Sequence, residues 1–515
     1  MPHPVFKKSL ISLSIAAIGL STSACAPVKE TQGFLKETFA SDDPCSNNAR
    51  NIGILAGAIA GAVIANQLGD GPAANALGAG IGAGIGGLIG HDIDNRRCEL
   101  HKIAQKYKVP IESAAITYAD AGIRATNNTS DKNDTLGLKV NLQDTGEQFA
   151  TGSSALTPKA KAYFTEIAQK YSPNAIKNAD EKKLAQERRL LIIGHTDDVG
   201  DSNSNAILAE QRAKAVAQLF AQYDIDPDHI HYQGAGETRP IADNRTAEGR
   251  AKNRRAEIID LPNQQVLESY LLNQKPVIAY YRPKAVAVPA KQTSAAKKPD
   301  AVTPSSTPTK TIKMAKSEWA FEGQKLTADN ATVAIGDLVP REDKLAFTSL
   351  FGIGTANASS DMVYANSCVL DRPRKSGAVK SLETGKEVEL KTRDYLPGLN
   401  QTVWMGDVGK HKIALLGVAV PRDAANAITP PKVNFYATKN LQKSTKPKYA
   451  TTTEVNAYHG KDGVLYRVFF TDAKAPVQCM DIVMPNQQPF SAKTGYLIYP
   501  DQNTQFVATF KPKKI

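Results

Sequence analysis

Between Ile52 and Gly90 the chain carries 12 glycines and 10 alanines in 39 residues, and Asp70 is the only charge. The glycines fall at every fourth residue, at Gly53, Gly57 and Gly61 and again at Gly78, Gly82, Gly86 and Gly90. On a helix this spacing clears one face of side chains and lets two backbones approach closely. Water does not favour such a helix, because glycine costs about 1 kcal/mol per helical position relative to alanine. Close packing or a membrane has to compensate. Gly69-Asp70-Gly71-Pro72 marks a turn, so residues 52–98 read as a helical hairpin. Its arms are 14 residues, Ile52 to Ala65, and 18 residues, Ala73 to Gly90. The first is below the ~20 residues that cross a bilayer, which favours a re-entrant, tilted or homo-oligomerised hairpin. A Gly/Ala-rich periplasmic linker is the alternative.

What precedes the hairpin is an export signal over residues 1–24. Lys7 and Lys8 are followed by an apolar run from Leu10 to Leu20 and by Ser21-Thr22-Ser23-Ala24, a stretch too short and wrongly flanked for a stable span. Small residues directly before Cys25 resemble the bacterial lipobox, with Thr22 where leucine is usual. The resemblance implies cleavage before Cys25, lipidation of Cys25 and a lipidated tether over 25–51. Ala26 is not the aspartate that resembles an inner-membrane retention signal, so the expected location is the outer membrane, lipid-anchored and facing the periplasm. The Gly/Ala segment likewise resembles the glycine-zipper hairpins of outer-membrane lipoproteins. The four other cysteines, Cys45, Cys98, Cys368 and Cys479, form an even set in an exported chain and suggest two disulfides. Of the three connectivities, Cys45 with Cys98 and Cys368 with Cys479 keeps each bridge inside one candidate domain. No spacing suggests zinc or a redox motif, and neither metal nor cofactor is expected.

A connector over 99–137 leads to a stretch in which periodicity alternates. Leu138 to Leu142 reads as a strand, Pro158 to Tyr171 as an amphipathic helix, and Leu190 to Gly194 as a buried strand. Asn205 to Tyr223 reads as a second helix capped by Asn205, and Ile230 to Gln233 and Ala256 to Asp260 as further strands. The loop between strand and helix is Gly194-His195-Thr196-Asp197-Asp198-Val199-Gly200, followed by Asn205, Leu208 and Gln211-Arg212-Ala213. With Gln233-Gly234-Ala235-Gly236-Glu237, Pro240 to Asn244 and Gly249 to Arg255, this resembles the OmpA-like C-terminal domain family over residues 138–261.

That resemblance implies an α+β domain, a mixed sheet with helices on one face, that binds peptidoglycan without cleaving it. An uncrosslinked diaminopimelate arm ends in an ammonium and a carboxylate on one carbon. Asp197 matches the family position that accepts the ammonium, and Arg212 the one that grips the carboxylate with a bidentate fork. Thr196, Asn205, Leu208 and Arg255 fall at positions that line or brace the pocket. The alternative is that Asp197 and Arg212 form only a structural ion pair. Phe149-Ala150 departs from the family's usual Phe-Asp, removing a polar group and lowering the expected affinity. Ser172 to Arg188 is longer and more charged than the usual connection, and reads as an extended helix or surface insertion away from the pocket.

At ~150 residues per domain, 515 residues suggest three or four units. The net charge of +12 is mostly a linker property, since Lys275 to Lys316 holds nine Lys/Arg against one Asp, with six prolines. Nucleic acid is therefore not an expected partner. Residues 262–316 read as a Pro/Lys-rich tether, of which Lys275 to Lys316 extends up to ~130 Å at ~3.1 Å per residue. Residues 317–515 turn to Val, Thr, Tyr and Phe with regular turn signals, the pattern of an all-β, sandwich-like domain with Cys368 and Cys479 both in strands. His411 and His459 lack motif-spaced partners, so no catalytic residue is assigned. The combined expectation is a non-enzymatic lipoprotein that holds the envelope to peptidoglycan and scaffolds an unknown envelope protein through 317–515. The alternative is a cell-wall enzyme targeted by the middle module.

Overall fold

The computed structural model describes residue 45 and most of 91–281 and 319–515; within those spans 118–119, 122–134, 151, 273–279, 328–329, 331–332, 336–363, 366, 389–394, 397, 421–429, 443–444, 461, 486–490 and 502–503 are outside the described set. The signal peptide, Cys25, the glycine hairpin up to Gly90 and the tether from 282 onward also lie outside the described residues. Among the described residues no helix is long and apolar enough to cross a membrane.

The first layer is built on strands β1 (Ile111–Thr117), β2 (Thr135–Gln143), β3 (Arg189–His195), β4 (Ile230–Gly236) and β5 (Arg255–Leu261). Their order is β1-β2-β5-β3-β4, antiparallel except for the parallel pair β3/β4. Residues 91–107 form helix α1. It is followed by α2 (Pro158–Tyr171), α3 (Ala179–Glu187), α4 (Ser202–Phe220), α5 (Ala247–Asn253) and α6 (Gln264–Leu272). One sheet face is sealed by Leu100 of α1, Phe164 and Ile167 of α2, and Val216 and Phe220 of α4 over Leu138, Ile192 and Ile258. Alternation along each strand sends Leu191, Ile193 and Ile259 to the opposite face, where Leu267, Tyr270 and Leu271 of α6 cover them. Helices on one face only was the expectation; the apolar run of α6 closes the second face.

Residues 99–137, expected as a connector, hold the end of α1 and the edge strand β1. The insertion before β3 is a short 3-10 turn plus α3. Behind it Arg188 and Arg96 meet Asp92 and Asp260 in a buried cluster, with Arg96–Asp260 at 2.6 Å. Helix α4 starts earlier than its apolar pattern suggested. Its cap is Asp201, whose carboxylate accepts from the Ser204 N–H at 2.8 Å, so Asn205 lies inside the first turn and its side chain is released for other work. Two glycines bring α4 close to the sheet. Gly194 and Gly234 are paired across β3 and β4, and a Cβ at either would stand 2.1 Å from Ala209 O or 2.3 Å from Ala206 O.

The second half carries β6 (Gln324–Lys325), β7 (Val333–Ala334), β8 (Tyr364–Ala365), β9 (Lys380–Ser381), β10 (Thr402–Val408), β11 (His411–Val418), β12 (Lys432–Tyr436), β13 (Tyr449–Thr452), β14 (Glu454–His459), β15 (Val464–Phe469), β16 (Cys479–Met484), β17 (Thr494–Asp501), β18 (Thr504–Phe510) and β19 (Lys513–Lys514). Apart from β9, they form two antiparallel sheets, β13-β12-β11-β10-β19 and β14-β15-β16-β17-β18-β6, and the small β7/β8 pair. Trp404, Ile413 and Phe435 of one sheet share a buried cluster with Tyr466, Met480 and Leu497 of the other. The bridges are Cys45–Cys98 and Cys368–Cys479. Cys479 opens β16, but Cys368 sits in a 3-10 turn, Cys368–Leu370, rather than in a strand. That turn lets the Cys368 N–H donate to the buried Asp481 at 3.1 Å.

The two halves are joined by contact as well as by chain. Strand β9 adds to the free side of β4, and residues 377–382 follow β4 from Gly234 back to Ile230. Tyr281, expected within an extended tether, is buried beside Tyr458, and its hydroxyl donates to Thr238 O at 2.7 Å.

Candidate binding site at the end of strand β3

Strand β3 ends in a loop that turns into α4, and the two elements bring Asp197 and Arg212 to the same end of the sheet. Asp197 Oδ1 accepts from the Val199 N–H at 3.1 Å, a side-chain turn that fixes the carboxylate. Its Oδ2 accepts from Arg254 Nη1 at 2.7 Å. Arg212 is held elsewhere. Its Nε donates to Ser153 O at 3.0 Å, its Nη1 stands 3.7 Å from Asp144, and its guanidinium lies over the Phe149 ring at 4.8 Å. Burial lowers the Arg212 pKa from its ordinary value, Asp144 opposes the shift and Arg254 adds to it. The ion pair of Asp197 is therefore with Arg254 and not with Arg212, whose charged neighbours are Asp144 and Arg254.

The other expected residues divide. Thr196 is buried, its N–H donates to Gly236 O at 2.9 Å, and its hydroxyl has no hydrogen-bond partner among the described residues. Asn205 Nδ2 donates to Val199 O and Glu237 Oε2, both at 3.0 Å, and to Asp197 O at 3.4 Å, so it braces the loop. Leu208 is half-buried on α4 and its neighbour Ile207 is exposed, as is Val199 on the loop. Arg255 is buried, with Nε and Nη2 on Glu257 Oε1 at 2.9 and 2.5 Å. Burial would raise the Glu257 carboxyl, but Arg255 and His195 hold it well below the usual range. Arg255 is thus a strut of β5, and its predecessor Arg254 reaches Asp197. Ala150, in place of an acid, offers only its carbonyl, 3.5 Å from Arg212 Nη2.

The sequence reading missed Arg254, Glu237 and the second half's contribution. Glu237 is fully buried and accepts from Arg372 and Arg374 as well as Asn205. Arg372-Pro373-Arg374 follows Cys368 closely, a local cue only once that bridge is known to hold the segment. Among the described residues no group of side chains could hold a metal ion.

Fold and site together define a mixed-sheet α+β binding module that presents one oriented carboxylate beside two guanidiniums. The pattern of the OmpA family matches residues 148–254, and that of the glycine zipper 2TM domain matches residues 52–94. Outer-membrane lipoprotein YfiB of Pseudomonas aeruginosa is 34% identical over 126 residues, 23% of this chain and 68% of the relative. The chain belongs to the OmpA family. Peptidoglycan-binding protein ArfA of Mycobacterium tuberculosis is 46% identical over 81 residues, 16% of this chain, which spans about a quarter (25%) of that relative's length. Among solved structures, the cell wall anchor of the T6SS from Pseudomonas aeruginosa is 22% identical, covering 32% of this chain and 97% of its own, at a TM-score of 0.23.

Proposed function

We propose that this chain is a non-catalytic peptidoglycan-binding lipoprotein of the outer membrane. Cys25 carries the lipid, the module built on β1 to β5 grips diaminopimelate-containing stem peptides, and residues 317–515 scaffold another envelope protein. The observation that carries the reading is the separation of charge at the β3 end, where Asp197 is oriented by Val199 N–H and Arg212 is stacked on Phe149 without being consumed by Asp197. An incoming ammonium takes the Asp197 carboxylate and the adjoining carboxylate takes Arg212, with Arg254 as a second cation. Membership of the OmpA family and similarity to peptidoglycan-binding protein ArfA and outer-membrane lipoprotein YfiB support this reading. Homo-oligomerisation through the glycine zipper belongs to the same proposal. The test is co-sedimentation of the whole mature chain with purified sacculi. Asp197→Asn and Arg212→Gln each remove a charge-assisted contact and lower affinity about 10- to 150-fold, with circular dichroism unchanged. Variants that pellet like the wild type refute the site.

A further inference from the structure

The loop that carries Asp197 has four consecutive carbonyls, and two side chains hold them in alternation. Asn205 takes those of Asp197 and Val199, at 3.4 and 3.0 Å. Arg372, 160 positions beyond Arg212 in the numbering, takes the other two: its Nη2 donates to Asp198 O at 2.8 Å and its Nη1 to Gly200 O. Both side chains then converge on one carboxylate. Glu237 Oε2 accepts from Asn205 at 3.0 Å and from Arg372 Nη2 at 2.6 Å, while Oε1 accepts from Arg372 Nε at 3.2 Å and Arg374 Nη1 at 2.8 Å.

Arg372 is itself fixed from the second half. Asn456 on β14 accepts from the Arg374 N–H at 3.1 Å and donates to Arg372 O at 2.8 Å, so an amide side chain substitutes for a strand partner. Next to it Asp371 is tied to Arg467 at 2.8 Å, to the Tyr458 hydroxyl at 2.8 Å and to Arg374 at 2.9 Å. Cys368, three residues earlier, is bonded to Cys479. A planar guanidinium reaches two carbonyls and a carboxylate at once because its N–H groups diverge in one plane, and the irregular segment that carries it is tied to β14, β15 and the Cys368–Cys479 bridge.

We propose that Arg372 is a positioning residue for peptidoglycan recognition: the second half of the chain clamps the Asp197 loop through Arg372 and so sets the affinity of the module's pocket. The proposal rests on the peptidoglycan reading of that pocket. Without the clamp the loop samples other conformations, and affinity falls by the fraction of time the binding geometry is populated.

The experiment uses the whole mature chain and a soluble tripeptide stem ending in diaminopimelate, titrated by calorimetry. Arg372→Ala, Arg372→Lys and Asp197→Asn are compared with the wild type, together with amide exchange at Val199 and Gly200 and the denaturation midpoint. Arg372→Ala is expected to bind about tenfold more weakly and to exchange faster at the loop amides. Because the buried Glu237 keeps Arg374 and Asn205 as donors, the midpoint is expected to fall only modestly. Arg372→Lys restores the charge beside Glu237 but cannot span both carbonyls, so its binding stays weak. Should Arg372→Ala lower the midpoint substantially, a lysine variant with restored midpoint and weak binding supports the clamp, whereas restoration of both overturns it. Arg372→Ala with wild-type affinity, beside a defective Asp197→Asn, overturns the clamp and leaves the pocket standing. Wild-type affinity in Asp197→Asn overturns the pocket reading itself.

Discussion

Replacing Arg467 by methionine tests the charge ladder under β15 and β16. Arg467 is 1% exposed, and its hydrogen bonds include those at 2.7 and 3.0 Å to Asp481 and at 2.8 Å to Asp371. Once it is gone the two carboxylates are unequal. Asp371 keeps Arg374 and the Tyr458 hydroxyl, while Asp481 keeps the Cys368 N–H at 3.1 Å. Burial already raises the Asp481 pKa despite Arg467. Removing one member of a buried pair typically costs about 3–5 kcal/mol, because the charge left behind has no solvent. Both tryptophans, Trp319 and Trp404, lie in this half, so their fluorescence during denaturant unfolding reports it selectively. Arg467→Met is expected to lose about 3–5 kcal/mol at pH 7. In that variant the folded pKa of Asp481 rises further above its unfolded value, so its deficit is full at high pH and shrinks as pH falls toward about 4. Adding Asp481→Asn is expected to return about half the loss or more. A single variant within 1 kcal/mol of wild type, a value below the low end of about 3, or a double variant no better than the single, refutes the assignment of the cost to a stranded carboxylate.

Two further outcomes follow from the sheet of the first half. Burial, joined by Arg255, pushes His195 down to about 4 against the pull of Glu257, and burial with Arg189 does the same to His231 against Asp228. The unfolded chain takes up these protons from about pH 6.5 downward while the fold resists until about 4. Stability is therefore full above the unfolded value and falls by on the order of 3 kcal/mol per ring as pH drops through that window. A denaturation midpoint that is flat from pH 7 to pH 5 contradicts it. Gly194→Ala places a Cβ 2.1 Å from Ala209 O and is expected to cost about 1–3 kcal/mol and to weaken sacculus binding by shifting α4. Unchanged stability and binding would show that α4 yields without consequence.

The strong periodicity of Pro158 to Tyr171 and the apolar run of β3 were legible because each buries one clear face. Arg254 and Arg255 were not separable, since adjacent residues at a strand start point to opposite sides and only the register of β5 against β3 decides which one meets Asp197. Asn205 resembled a helix cap because cap and brace use the same amide chemistry; the true cap, Asp201, lies four residues earlier. Strands β10 and β13 carry little local signal. β10 mixes Trp404 and Val408 with Gly406 and Asp407, and β13 shows its side chains half to water, so neither gives a continuous apolar signal. No local pattern could announce that residues 371–382 complete the first half, because what holds them is long-range: Gln233 to Gly377 O at 2.8 Å and Lys380 to Glu210 at 2.7 Å.

The pairing of β9 with β4 changes what a fragment of this chain would do. Residues 377–382 occupy the backbone donors and acceptors on the outer side of β4. A piece ending at Leu261 would bare that side, and an uncovered strand edge is a template for pairing with another copy. The same cut removes Arg372 and Arg374 from the fully buried Glu237, leaving a charge beside a sticky edge. Oligomers or aggregates seen with such a piece would then report the cut rather than the protein, so self-association has to be read on a chain that keeps its second half.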